Sequence, residues 1–87
     1  MCFYTHKHQQ SIIPKQHIEY FEDTKIIKKT YYLTSDNALH GEYKEYRQNG
    51  MLWIHCWYHH DQHIKTYKQY DINGELWHHY VYTDEVN

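Results

Sequence analysis

The chain has 87 residues, with 9 lysines and arginines against 11 aspartates and glutamates, for a formal charge of −2 with histidine neutral. That length makes one small domain, and that balance gives no basic stripe to hold nucleic acid or an anionic membrane. No apolar run approaches the ~20 residues of a membrane-spanning helix, and two cysteines, Cys2 and Cys56, are too few for a disulfide scaffold.

Eleven tyrosines, three tryptophans and two phenylalanines are most of what such a chain has to bury. The start, Met1-Cys2-Phe3-Tyr4-Thr5-His6, has neither the basic nor the long apolar region of a secretion signal. An intracellular, cytoplasmic setting with reduced thiols is the default for that pattern.

Residues 1–14 read as an N-terminal tail or edge strand, closed off by Pro14, which cannot donate to a sheet ladder. Residues 15–87 read as a single repeat domain. Its first unit, about residues 15–34, has a strand-like core at His17-Ile18-Glu19-Tyr20-Phe21. With an offset of 25, Phe21 meets Tyr46, Ile26-Ile27 meet Met51-Leu52, and Tyr31-Tyr32-Leu33 meet Cys56-Trp57-Tyr58. Asp23-Thr24-Lys25 then stand where Gln48-Asn49-Gly50 stand later, a degenerate copy of the kind expected at the end of an array.

The second and third units, about residues 41–60 and 63–84, carry the clearest signal. Tyr43, Tyr46, Asn49, Gly50, Leu52 and Trp53 return 24 residues later as Tyr67, Tyr70, Asn73, Gly74, Leu76 and Trp77. A period between 20 and 50 residues marks a repeat architecture. Each unit reads as a β-hairpin, because Asn-Gly between aromatic and aliphatic runs accepts the positive φ of a tight turn. Asn49, Gly50, Asn73 and Gly74 are thus the turn-forming residues, and valine at Gly50 or Gly74 is expected to cost more than valine at Gly41.

The returning strand Met51–Tyr58 alternates Leu52, Ile54, Cys56 and Tyr58 with Met51, Trp53, His55 and Trp57. Both sets are partly apolar, which predicts a ribbon covered on one side and half exposed on the other. The spacing of three in Tyr43-x-x-Tyr46 breaks strict alternation and predicts a bulge or twist at the strand end. The turn-forming stretches Thr34–His40 and His59-His60-Asp61-Gln62 join the units. Nothing follows Tyr82 but Thr83–Asn87, so an open sheet edge is expected, and open edges pair or are covered.

Gly41-Glu42-Tyr43-Lys44-Glu45-Tyr46-Arg47-Gln48-Asn49-Gly50-Met51-Leu52 resembles the unit of MORN-type repeats, in the variant of bacterial antitoxin-like proteins and large DNA virus repeat proteins. The third unit departs from that pattern at Lys65, and the first has lost the turn glycine. The resemblance covers about residues 17–82. It implies an all-β short solenoid of about three consecutive antiparallel hairpins in a twisted sheet, with no common active site.

The histidines are the tempting chemistry. His59, His60 and His63 are candidate metal ligands, but zinc wants three or four ligands in a tetrahedron. Adjacent residues on an extended chain point to opposite sides, and no Cys-x-x-Cys or His-x-x-x-His spacing supports a closed site. The bland reading, surface or stacked histidines, is the stronger one, and no cofactor is expected. Ser11 and Ser35 sit beside a Pro-containing break and in a turn, with no nucleophile elbow and no phosphate loop, so no catalytic residue is expected.

Trp53, Trp57, Trp77, Tyr80 and Tyr82 are the candidate contact residues, since large aromatics dominate interface hot spots. The expected function is a non-enzymatic structural or protein-binding module, a small component or adaptor of a larger assembly, including a virus particle. It would engage a protein partner or itself through the open edge, with no nucleic acid. The alternative is an antitoxin-like inhibitor that neutralises one partner enzyme by direct binding. A metal- or pH-responsive ligand module is a third reading.

Overall fold

A computed structural model describes residues 13–82. They form six strands: β1 (Lys15–Tyr20), β2 (Ile27–Leu33), β3 (Gly41–Tyr46), β4 (Leu52–His59), β5 (Gln62–Tyr70) and β6 (Leu76–Tyr82). The strands make one antiparallel sheet in simple chain order, with each strand beside its sequence neighbours. The described residues are therefore all-β. The sheet is open, with β1 at one edge and β6 at the other.

Extents of 55 × 37 × 13 Å leave room for one layer only, because a second packed sheet would add about 10 Å. Among the described residues no element covers either face. Of the described residues only Thr34, Ala38 and Cys56 are buried, Cys56 completely. Shielding comes from aromatic side chains lying against one another along the sheet surface.

Hairpins β3–β4 and β5–β6 repeat each other closely. Glu45 pairs with Ile54 and Tyr46 with Leu52, so Trp53 is the extra residue of a bulge. Gln69 pairs with His78 and Tyr70 with Leu76, which makes Trp77 the extra residue there. The repeated tryptophan is thus the bulged residue of the returning strand. A bulge sharpens local twist and re-aims its side chain; it lies on the returning strand opposite the end of β3, where Tyr43 and Tyr46, three apart, face opposite sides.

The first hairpin corrects part of the repeat alignment. Tyr20 pairs with Ile27 and Glu19 with Lys29, leaving Lys28 at the bulge. The closing bond from Phe21 N–H to the Ile26 carbonyl spans a loop one residue longer than the Arg47–Met51 closure. The outgoing strand is consequently offset by 26, not 25. Tyr20, not Phe21, stands where Tyr46 stands, and His17 where Tyr43 stands.

The turns also differ from expectation. Gly50 and Gly74 have φ of +88° and +85°, but Asn49 and Asn73 are not in the positive-φ region. Gly50 N–H donates to the Arg47 carbonyl and Arg47 N–H to the Met51 carbonyl, a three-residue loop ending in a left-handed glycine. The two-residue turn with both φ positive lies elsewhere, at His60 (+49°) and Asp61 (+70°), between paired His59 and Gln62. Aspartate adopts that region more readily than most residues.

Candidate interaction surfaces

One face of the sheet carries a row of rings that crosses every strand. His17 on β1 stacks on Tyr31 of β2 (centroids 5.5 Å), and Tyr31 lies 6.3 Å from Tyr43 of β3. Tyr43 meets Tyr58 of β4 edge-on at 5.5 Å, and Tyr58 stacks on His63 of β5 at 4.5 Å. His63 then lies parallel to Tyr82 of β6 at 5.4 Å. These separations suit attractive offset and edge-to-face pairing.

The row forms because alternation returns every second residue to this face and the strand register places those residues side by side. Cys56 pairs with Tyr43 on one side and Tyr67 on the other. The rings around it exclude water completely, at 0% exposure, and burial pushes its thiol up to about 11. Burial likewise lifts the Tyr58 hydroxyl to about 12 and raises Tyr43, whose proton is also held by Glu45. This face is therefore lined by neutral phenols at ordinary pH. Three of them donate locally: Tyr31 to Glu19 (2.6 Å), Tyr43 to Glu45 (2.9 Å) and Tyr67 to Gln69 (3.3 Å).

The opposite face is charged. His55 Nε2 lies 2.8 Å from Glu42 Oε2, and Lys44 Nζ is 3.7 Å from the same oxygen. The Lys65 ammonium sits 4.7 Å from the Trp57 ring centre, and the Arg47 guanidinium 5.0 Å from that of Trp53. Two of the sequence-predicted contact residues, Trp53 and Trp57, are thus half-buried under their own cations.

The other three are open. Trp77, Tyr80 and Tyr82 are 62%, 55% and 38% exposed, all on the outermost strand. Asp71 stands 24 residues after Arg47, so the cation that covers Trp53 has no counterpart at Trp77. All seven residues of β6 are exposed. The five aromatics therefore divide between two faces, and only the β6 group is free to meet another molecule.

Of the three candidate metal ligands, His59 and His60 stay together at the turn and His63 stands apart. His63 belongs to the tyrosine row. His59 packs on His40 (4.7 Å), and His60 Nε2 reaches Asp36 at 3.1 Å. Asp61 locks this turn to the loop before β3, accepting from Leu39 N–H and donating its own N–H to the Leu39 carbonyl, both at 2.8 Å. Thr34 donates to Asp36, which holds that carboxyl below its usual range. A hollow of about 330 Å³ lies there between Asp36, His40, His59 and His60. Among the described residues no three His, Cys, Asp or Glu side chains converge as metal ligands do. A shallower hollow of about 400 Å³ opens on the tyrosine face beside His63, Tyr67, Gln69 and Tyr80.

The chain matches no family model, no curated protein and no solved structure. The residues themselves carry the functional reading. No helix among the described residues is long and apolar enough to cross a membrane.

Sequence reasoning missed Cys56 as the centre of burial and His63 as a stacking member of the ring row. The signal for the row was available. Tyr31 and Cys56 align between units one and two, and Tyr58 and Tyr82 between units two and three. Only the strand register turns those matches into a line across the sheet.

Proposed function

We propose that this chain is a non-enzymatic protein-binding module of MORN-like kind, three hairpins long, which serves as a small component or adaptor of a larger assembly. The observation that carries the reading is β6. It is an outermost strand whose seven residues are all exposed, with Trp77 at 62% and Val81 at 66%. A strand with one free backbone edge and uncovered apolar side chains binds by adding another strand.

The repeat unit and the hairpin succession support the MORN-like assignment. The deep, enclosed clefts in which most small-molecule chemistry occurs have no counterpart among the open hollows of the described residues. The groups with most chemical potential are already engaged: Cys56 under tyrosines, Asp36 by Thr34, and His55 by Glu42.

Affinity capture from the native source, run in parallel with the Val81→Lys variant, tests this reading. Stoichiometric recovery of scaffold or shell proteins by the unaltered chain, lost in the variant, is the expected result. One small enzyme recovered one-to-one, and inhibited, would replace the adaptor with an inhibitor. Partners recovered equally by the variant would show that β6 is not the binding edge.

A further inference from the structure

The two edges of the sheet are not alike. β1 is guarded in the usual way, with Lys15 and Glu19 in the strand and Pro14 just ahead of it. β6, Leu-Trp-His-His-Tyr-Val-Tyr, has no Lys, Arg, Asp, Glu, Pro or Gly. Apart from the bulge at Trp77, nothing in such a strand blunts it as a template for pairing.

The repeat shows what this edge position does inside the sheet. His55 on β4 is flanked by Lys44 of β3 and by Lys68 of β5. Its counterpart His79 on β6 has Lys68 on one side and, among the described residues, no strand on the other.

We propose that β6 pairs antiparallel with β6 of a second copy of this chain, about a two-fold axis through His79, to give one sheet of twice six strands. The inference rests on the open-edge reading above and names its partner. Pairing β6 with β1 of another copy would instead propagate as an open filament, and the charges of β1 oppose that.

A two-fold axis perpendicular to the sheet keeps the tyrosine faces of both copies on one side and must pass through a single residue. Centring it on His79, the midpoint of Leu76–Tyr82, pairs the strand on both sides of the axis as far as the bulge at Trp77. His78 then meets Tyr80 of the second copy and Trp77 meets Val81, while the bulge beside Leu76 ends the regular pairing. Aromatic and branched partners of this kind are the pairs that stabilise antiparallel neighbours. The most exposed apolar side chains of β6, Trp77 and Val81, meet each other, and on the tyrosine face Tyr80 of each copy is set beside His78 of the other.

The test is sedimentation equilibrium on the full chain, with circular dichroism to show that each variant folds. The unaltered protein should reach twice its 10.9 kDa mass. Val81→Lys should weaken self-association at least ~10-fold, since both copies lose the branched apolar partner of Trp77 and put a charge in its place. Ile18→Lys on β1, where the side chain is 44% exposed, should leave it unchanged.

Register is read separately by cross-linking. In a Cys2→Ser background, His79→Cys should form a disulfide-linked dimer, because antiparallel partners sit within disulfide reach. Ile72→Cys at the hairpin tip should not, and Cys56, at 0% exposure, should stay silent.

A monomer at every concentration overturns the proposal, as do species beyond the dimer that Ile18→Lys abolishes. Cross-linking through Ile72 but not His79 overturns the register. A monomer that still captures a different protein through β6 leaves the protein-binding reading standing and sinks this one.

Discussion

The Arg47 guanidinium lies 5.0 Å from the centre of the Trp53 ring while its Nη2 donates to the Tyr70 carbonyl at 3.1 Å. One side chain therefore ties the bulge of the second hairpin to the end of the first strand of the third. Arg47→Ala should lower stability by about 1–2 kcal/mol, the sum of an exposed cation–π contact and one hydrogen bond. Arg47→Lys should recover less than half of that, because an ammonium cannot stack flat and also reach the carbonyl. Urea unfolding of the three proteins checks both.

The glycines should rank differently from the sequence expectation. Gly41 has φ of +119°, half-buried with Tyr32 beside it, whereas Gly50 at +88° has open space where a Cβ would go. An added Cβ at Gly74 meets only the flexible tip of Met51. Valine at Gly41 should then cost as much as valine at Gly50 or more, on the order of 1–3 kcal/mol from backbone strain. Thermal melts of the three variants decide the order.

The two Asn-Gly turns hold themselves by different atoms. Asn49 Oδ1 accepts from Met51 N–H at 2.9 Å, but in the last hairpin Asp71 Oδ1 accepts from both Asn73 and Glu75 N–H groups at 2.9 Å. Asn49→Ala and Asp71→Ala should each cost about 1 kcal/mol, and Asn73→Ala close to nothing. Equal losses at Asn49 and Asn73 in chemical denaturation would contradict the assigned geometry.

Alkaline pH should unfold the protein by a route that starts at the ring row. Cys56 and Tyr58 hold their protons more tightly folded than unfolded, with values raised from 9.0 to about 11 and from 10.0 to about 12. Their contribution is whole below pH 9 and is lost as pH rises through 11 and then 12. The melting midpoint should fall from pH 9 upward, and Cys56→Ala should delay that onset by about one unit, towards the tyrosine range. An unchanged onset in Cys56→Ala would remove the thiol from the explanation.

How much of this was legible in the sequence depended on which force set each feature. The 24-residue match of Tyr43-x-x-Tyr46 and Tyr67-x-x-Tyr70 gave the hairpins, because turn chemistry and alternation act over a few neighbouring residues. The bulge at Trp53 was foreseen only as a break in spacing, not as the work of the tryptophan itself. The offset of the first unit was misread by one residue on its outgoing strand because loop length is not written in Glu22–Lys25. A covered face was expected, yet the described residues form one layer, with Cys56 sheltered by its neighbours in the sheet. The stretch His59–Gln62 was read as a turn, but not as the one with two left-handed residues, because Asn-Gly drew that expectation to Asn49-Gly50 and Asn73-Gly74. His63 parts from His59 and His60 because strand pairing carries it into the tyrosine row while they stay at the turn.

In this sheet each strand touches only the strands before and after it in the chain. Loss of structure has no reason to be all-or-none across such a ladder, where stability sums over nearest neighbours. Amide exchange should be slowest around Cys56 and quicken strand by strand toward Lys15 and Tyr82. A molecule built this way frays like cloth from its selvedges, and whatever grips the loose hem at β6 also stops the unravelling.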